Sequence, residues 1–153
     1  MGGAGIQTAP QLRDTMRDIK QIIIHCADTP EGRNDTAADI RRWHKARGFN
    51  DIGYHYVIDL DGTIEPGRDV SVAGAHCTGQ NATSIGICYI GGKTADMKTA
   101  KDTRTEEQKA ALLSLLKYLV RKYPGAKIYG HKDFANKACP CFDAKTEYAE
   151  LCE

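Results

Sequence analysis

Near its C-terminal end the chain reads His131-Lys132-Asp133-Phe134-Ala135-Asn136-Lys137-Ala138-Cys139-Pro140-Cys141. This turn-rich segment gathers an imidazole, two lysines, a carboxylate and two thiols. Imidazole nitrogen and thiolate sulfur are ligands of zinc. The stretch between His131 and Cys139 is long enough to fold back and aim both at one ion. A third ligand stands far upstream. His25 closes the run Ile22-Ile23-Ile24, just before the turn-forming Asp28-Thr29-Pro30. Two nitrogens and one thiolate leave the fourth position of a tetrahedral ion open, which is the catalytic arrangement of Zn2+. Two other chemistries use the same residues. A closed structural site would add Cys141, although with only Pro140 between them Cys139 and Cys141 chelate one ion poorly. A cysteine nucleophile would pair Cys139 with His131, and it leaves His25 and Lys137 without a role.

The elements that must hold these groups follow from pattern. Ile19 to Cys26 is rich in β-branched residues and predicts a strand buried on both faces, central to a sheet, with His25 near the end where α/β sheets place chemistry. Thr36 to Arg47 predicts a helix, capped by Asp35 or Thr36 and stopped by Gly48, with Ala37, Ile40 and Trp43 along its inner face and His44 and Arg47 beside it. Tyr54 is expected to begin the first strand of a hairpin turning at Asp61-Gly62, whose second strand ends at Pro66-Gly67 and leaves Arg68 at its terminus. Ala73-Gly74-Ala75-His76 and the polar loop Thr78 to Ser84 lead into a buried strand, Ser84 to Gly91, in which Gly86 signals a close approach by a neighbour. Thr105-Glu106-Glu107-Gln108 is a capping box. It opens the longest helix, whose apolar stripe runs through Leu112, Leu116, Leu119, Val120 and Tyr123, widened by Leu113, and ends at Pro124-Gly125. Lys127 to Tyr129 forms a short strand that delivers His131. Asp143 caps a last helix through Tyr148 and Leu151. Strands alternating with helices, with one hairpin among them, predict a single α/β domain: a central mixed β-sheet flanked by helices. Residues 1–18 read as an N-terminal arm, or at most a short helix over Pro10 to Arg17, before a domain of residues 19–153.

Composition limits the partners. The 153 residues suit one domain with a proper core. The formal net charge is +1, from 21 basic and 20 acidic residues, so there is no electrostatic case for nucleic acid or an anionic membrane surface. No apolar run approaches a membrane span. The first residues lack the basic and apolar regions of a signal peptide. The compartment stays open between cytoplasmic synthesis with later release and export with the leader removed. A monomer is expected. Cys26 and Cys88 read as small buried hydrophobes on strands. A disulfide among Cys77, Cys141 and Cys152 depends on a redox compartment that composition does not set.

The chain resembles the type 2 N-acetylmuramoyl-L-alanine amidases, the family of phage amidase-lysozymes and peptidoglycan recognition proteins. The segments that carry the likeness are Ile22 to Cys26, Arg42-Trp43-His44-Lys45, Asp51 to Tyr56, Asp61 to Arg68, Gly74-Ala75-His76, Asn81 to Ile87 and His131 through Cys139-Pro140. The resemblance implies zinc on His25, His131 and Cys139, and catalytic roles for Tyr54 and Lys137. It implies hydrolysis of the amide between the lactyl group of N-acetylmuramic acid and L-alanine of the peptidoglycan stem. Members that bind without cutting typically lack the cysteine ligand, so Cys139 favours an enzyme over the alternative, a peptidoglycan sensor. Lys137 sides with the phage-like members. The groove-lining residues implied are Trp43, His44, Arg68, His76, Asn81 and Ser84, with Arg68 positioned to pair with a stem-peptide carboxylate.

Overall fold

The computed structural model describes residues 17–152. Seven strands and three α-helices occur among them. The strands are β1 (Gln21–Cys26), β2 (Thr29–Pro30), β3 (Tyr56–Ile58), β4 (Ile64–Pro66), β5 (Ser84–Tyr89), β6 (Gly92–Lys93) and β7 (Lys127–Gly130). The helices are α1 (Ala37–Ala46), α2 (Glu106–Lys122) and α3 (Ala144–Glu147). The main sheet has the order β4-β3-β5-β1-β7, parallel throughout except for the β3–β4 hairpin. Strands β2 and β6 make a separate short parallel pair.

The triple isoleucine becomes the middle of the sheet because every residue of it is wholly buried, at 0% exposure. Alternation along the pleat then divides the side chains between two cores. Ile22, Ile24 and Cys26 join Ile85, Ile87, Tyr89 and Ile128 under α2, against Leu112, Leu115, Leu116 and Leu119. On the opposite face Val57, Cys88 and Ile90 pack with Ala37 and Ile40 of α1 and with Ile52. His25 is two residues from Ile23 and beside Cys88 in register, so it shares the α1 face. The mixed α/β domain expected from the pattern is the one observed.

Caps set the helix ends. Thr36 N–H donates to Asp39 Oδ2 (2.9 Å) at the start of α1. At α2 the expected box forms: Gln108 N–H donates to Thr105 Oγ1 (3.0 Å) and Thr105 N–H to Gln108 Oε1 (2.9 Å). Gln108 does more than cap. It is fully buried, and its amide donates to the carbonyls of Ile58 (3.2 Å) and Ile90 (3.0 Å), tying the helix to the ends of β3 and β5.

Three details differ from expectation. Leu115, not Leu113, widens the α2 stripe, and Leu113 is 37% exposed; it lies about 100° around the helix from Leu112, away from the sheet. Strand β3 begins at Tyr56, so Tyr54 sits in the approach to the strand, with its carbonyl accepting from Arg68 N–H (2.8 Å). The last helix ends at Glu147 and continues as a 3-10 turn, Ala149–Cys152. The arm read over residues 1–18 lies almost wholly outside the described residues. Arg17 does not: its guanidinium donates to the carbonyls of Val70 (2.7 Å) and Ser84 (3.1 Å).

Candidate metal centre and substrate cavity

Two neighbouring parallel strands bring the first two donors together. In β1, Ile24 is paired with Gly130 at the end of β7. The residue that follows each of them is a histidine, and the rings of His25 and His131 lie 4.5 Å apart. After β7 the chain makes a 3-10 turn over His131–Asp133, capped by Gly130 N–H donating to Asp133 Oδ2 (2.9 Å). The loop then returns, closed by Lys132 N–H donating to the Cys139 carbonyl (2.8 Å). Its far side is anchored in the core. Tyr89 donates its hydroxyl to the Pro140 carbonyl (2.6 Å), and the buried Arg104 guanidinium lies 3.4 Å from the ring centre of Phe142. Gly130 has no Cβ for a reason of space: one would stand 2.7 Å from Pro140 Cδ.

His25, His131 and Cys139 thereby offer one donor atom each within 4.8 Å of one another. A tetrahedral ion with bonds of about 2.0–2.3 Å holds its ligands about 3.3–3.8 Å apart, so small side-chain rotations close this set on an ion. The donor chemistry also fits. Burial, then the neighbouring His76, His131 and Lys137, holds His25 well below the usual imidazole range. Burial and Lys137 lower His131. Metal ions bind neutral imidazole. Cys139 Sγ accepts from the Cys26 backbone N–H (3.1 Å), a contact that suits a thiolate.

Behind His25 stands a relay. His25 Nε2 and His76 Nδ1 are 2.8 Å apart, and His76 Nε2 is 3.2 Å from Ser84 Oγ. The tautomers compatible with a metal on His25 Nδ1 are Nε2–H donating to His76 Nδ1, and His76 Nε2–H donating to Ser84. Burial, then the neighbouring His55, His131, Arg17 and Arg68, lowers His76 to about 3, so it is neutral at neutral pH. Gly86 makes room for it: a Cβ there would stand 2.7 Å from the imidazole ring. This is the close approach that a glycine inside a buried strand implied.

His131 and Cys139 open into a cavity of about 520 Å³, with His25 buried behind them, whose wall includes Trp43, His44, Tyr54, His76, Asn81, Phe134 and Lys137. Tyr54 lies against His25, ring centres 5.1 Å apart, with its hydroxyl on Cys88. Burial, then Cys88, Cys139 and Cys26, pushes the phenol well above its ordinary value, so it keeps its proton at neutral pH. The exposed Lys137 is close enough for its charge to act on both histidines.

Two of the expected groove residues, Arg68 and Ser84, do not line this cavity. Arg68 donates to the carbonyls of Ile52 (2.9 Å), Ala73 (2.9 Å) and Asp51 (3.3 Å). Its planar fork is committed to holding the loop after the hairpin. Ser84 is fully buried beneath His76. Two others line the wall with part of their polarity already engaged. His44 Nδ1 accepts from Gly53 N–H (2.9 Å), and Asn81 Oδ1 accepts from the backbone of His76 and Cys77 (both 2.9 Å). Among the described residues Arg47 also lines the cavity, over Phe49 at 5.4 Å from its ring centre. From Arg47 the aromatic contacts run through Phe49, His44 and Tyr54 to His25. In sequence, Arg47 is an arginine in the last turn of a helix, where a basic residue is ordinary.

A family model described as N-acetylmuramoyl-L-alanine amidase matches residues 15–142. The endolysin of Escherichia phage T7 is 45% identical over 125 residues, covering 81% of this chain and 82% of that protein. Among solved structures, the N-acetylmuramoyl-L-alanine amidase LysC from Clostridium intestinale URNW superposes with a TM-score of 0.73 at 32% identity, over 88% of this chain and 85% of that one. A mutant of Drosophila PGRP-LB in complex with tracheal cytotoxin superposes with a TM-score of 0.70 at 28% identity, over 86% and 80%.

Proposed function

From the premise that this chain belongs to the N-acetylmuramoyl-L-alanine amidase family, we propose that it is a zinc-dependent enzyme hydrolysing the amide between the lactyl group of N-acetylmuramic acid and L-alanine in peptidoglycan. Its role is that of an endolysin, in cell-wall lysis or remodelling. We assign the catalytic domain to residues 19–153. The observation that carries the reading is the convergence of His25, His131 and Cys139 at a cavity that also holds Tyr54 and Lys137.

When bound by these three residues, zinc would supply a Lewis acid and lower the pKa of a bound water toward about 7. The protein supplies the rest. The His76–Ser84 relay fixes the orientation of His25. The Cys26 N–H stabilises negative charge on the Cys139 sulfur. Lys137 offers its ammonium to the oxygen of the scissile lactyl carbonyl as charge develops there. Tyr54 keeps its proton at neutral pH, so it can orient the substrate or hand a proton toward the leaving amine of L-alanine. Arg47, at the far end of the aromatic wall, is placed to pair with a carboxylate of the stem peptide.

Mass spectrometry of purified peptidoglycan after incubation with zinc-loaded and chelator-treated protein tests the reading. The expected products of the loaded protein are free stem peptides beginning with L-alanine and glycan strands of unchanged length, with neither after chelation. Stoichiometric zinc without cleavage would instead favour a peptidoglycan sensor.

A further inference from the structure

Beside the ligand set, two other thiols face one another. Cys26 closes β1 immediately after His25 and is 4% exposed. Cys141, half-buried, comes two residues after Cys139. They are 115 residues apart in the chain, and their sulfurs are 3.8 Å apart. Both sit against the Gly92 backbone. Cys141 Sγ donates to the Gly92 carbonyl (3.3 Å), and a Cβ on Gly92 would stand 2.5 Å from Cys26 Sγ. The missing side chain of Gly92 thus leaves the room that the Cys26 sulfur occupies, with Cys141 on the carbonyl of the same residue.

We propose that Cys26 and Cys141 are a disulfide-forming pair that staples the β1 end of the metal site to the loop carrying Cys139. Rotation of the Cys141 side chain away from the Gly92 carbonyl toward Cys26 is the movement this needs. The oxidant is a low-molecular-weight disulfide, RSSR. The more exposed Cys141 sulfur attacks it, the RS–SR bond breaks, and one RSH leaves with the thiol proton. The Cys26 sulfur then attacks the mixed disulfide at the Cys141 sulfur and releases the second RSH. Two thiols lose two electrons and two protons, and RSSR gains them. Cys139 also meets Cys26, its sulfur accepting the backbone N–H (3.1 Å) and bonding the Cys26 thiol, and it is its place in the ligand set that keeps it out of the exchange. The bond would close a loop of most of the chain, where cross-links restrict the unfolded state most. It would also hold His25 and Cys139 at their spacing when the ion leaves. This inference rests on the metal site of the proposed function and not on the cleavage of peptidoglycan.

The test uses the full zinc-loaded chain, incubated for hours with excess oxidised glutathione or with a reductant. Free thiols are then alkylated and the chain is mapped without reduction. The expected result is one cross-linked peptide pair joining Cys26 to Cys141, with a thermal midpoint in chelator raised by roughly 5 °C or more over the reduced chain. Cys141→Ser should show neither the cross-link nor the shift, and Cys26→Ala should behave alike if the first variant folds poorly. The proposal is overturned if all six thiols stay alkylatable, if Cys139 is found in the bond, or if the Cys26–Cys141 bond forms with no rise in midpoint. None of these readouts uses substrate, so a failure here is separate from failure to cleave peptidoglycan.

Discussion

His25 and His76 meet edge to face, their rings at 88° and His25 Nε2 2.8 Å from His76 Nδ1. A hydrogen bond in this position sets the tautomer and direction of a ligating imidazole. His76→Ala should therefore weaken zinc binding and turnover about 10- to 100-fold. Ser84→Ala, one step further back, should do the same more weakly. Equilibrium dialysis against zinc, alongside amidase assays, measures both. Unchanged zinc affinity in His76→Ala would remove the relay from the account.

Lys137 and Cys139 are two residues apart and should fail differently. Lys137→Ala should keep its zinc and lose about 10²- to 10³-fold in kcat, the usual cost of removing one group that stabilises a developing oxyanion. Cys139→Ala should lose zinc and activity together. Metal content by elemental analysis separates the two, and wild-type turnover in Lys137→Ala would contradict the role given to it.

The two arginines of the region should also separate. Arg47→Gln is expected to raise KM for muropeptides with free stem carboxylates and to leave the thermal midpoint within about a degree, since its partners in the fold are few. Arg68→Ala removes a charged donor from three backbone carbonyls and should cost about 2–3 kcal/mol of stability, read by urea denaturation. The opposite pattern would return Arg68 to the substrate.

His55 makes stability depend on pH. It is buried, its Nδ1 accepts from Gly86 N–H (3.0 Å), and its Nε2 lies 2.8 Å from the Val72 carbonyl. Burial is the main cause that lowers it to about 4 from 6.5. Between those values the unfolded chain binds a proton that the folded chain refuses, so unfolding becomes easier as pH falls. The contribution is complete above about pH 6.5 and is lost toward pH 4, with a size of about 3 kcal/mol. Urea midpoints at pH 7 and 4.5 should show this slope in the wild type and a shallower one in His55→Gln.

Gly86→Ala tests whether space, not only hydrogen bonding, holds the relay. The new methyl would stand 2.7 Å from the His76 ring. The variant should lose about 1–3 kcal/mol of stability and zinc affinity with it. A crystal structure showing His76 unmoved would argue against the coupling.

Much of this was legible in one dimension. The isoleucine run, the Thr105–Gln108 capping box and the Asp61-Gly62 turn state local preferences, and local preferences survive folding when each agrees with its neighbours. The same holds for the three donors. Their residue types, with the two histidines after β-rich runs and the cysteine in the loop beyond, predicted a shared ion, and strand pairing together with the return of that loop brought the donors within 4.8 Å. What the sequence could not decide was which polar groups would remain free. Arg68 and Arg47 are equally cationic as letters. Only the packed chain shows one gripping three carbonyls and the other beside the cavity. Ser84 and His76 looked alike as groove residues, yet one lies beneath the other. The pairing of Cys26 with Cys141 across 115 residues had no local signal at all. Residue type sets what a side chain can bind, and tertiary packing decides which partner reaches it first, because a buried donor or acceptor must be matched by whatever the fold brings within bonding distance.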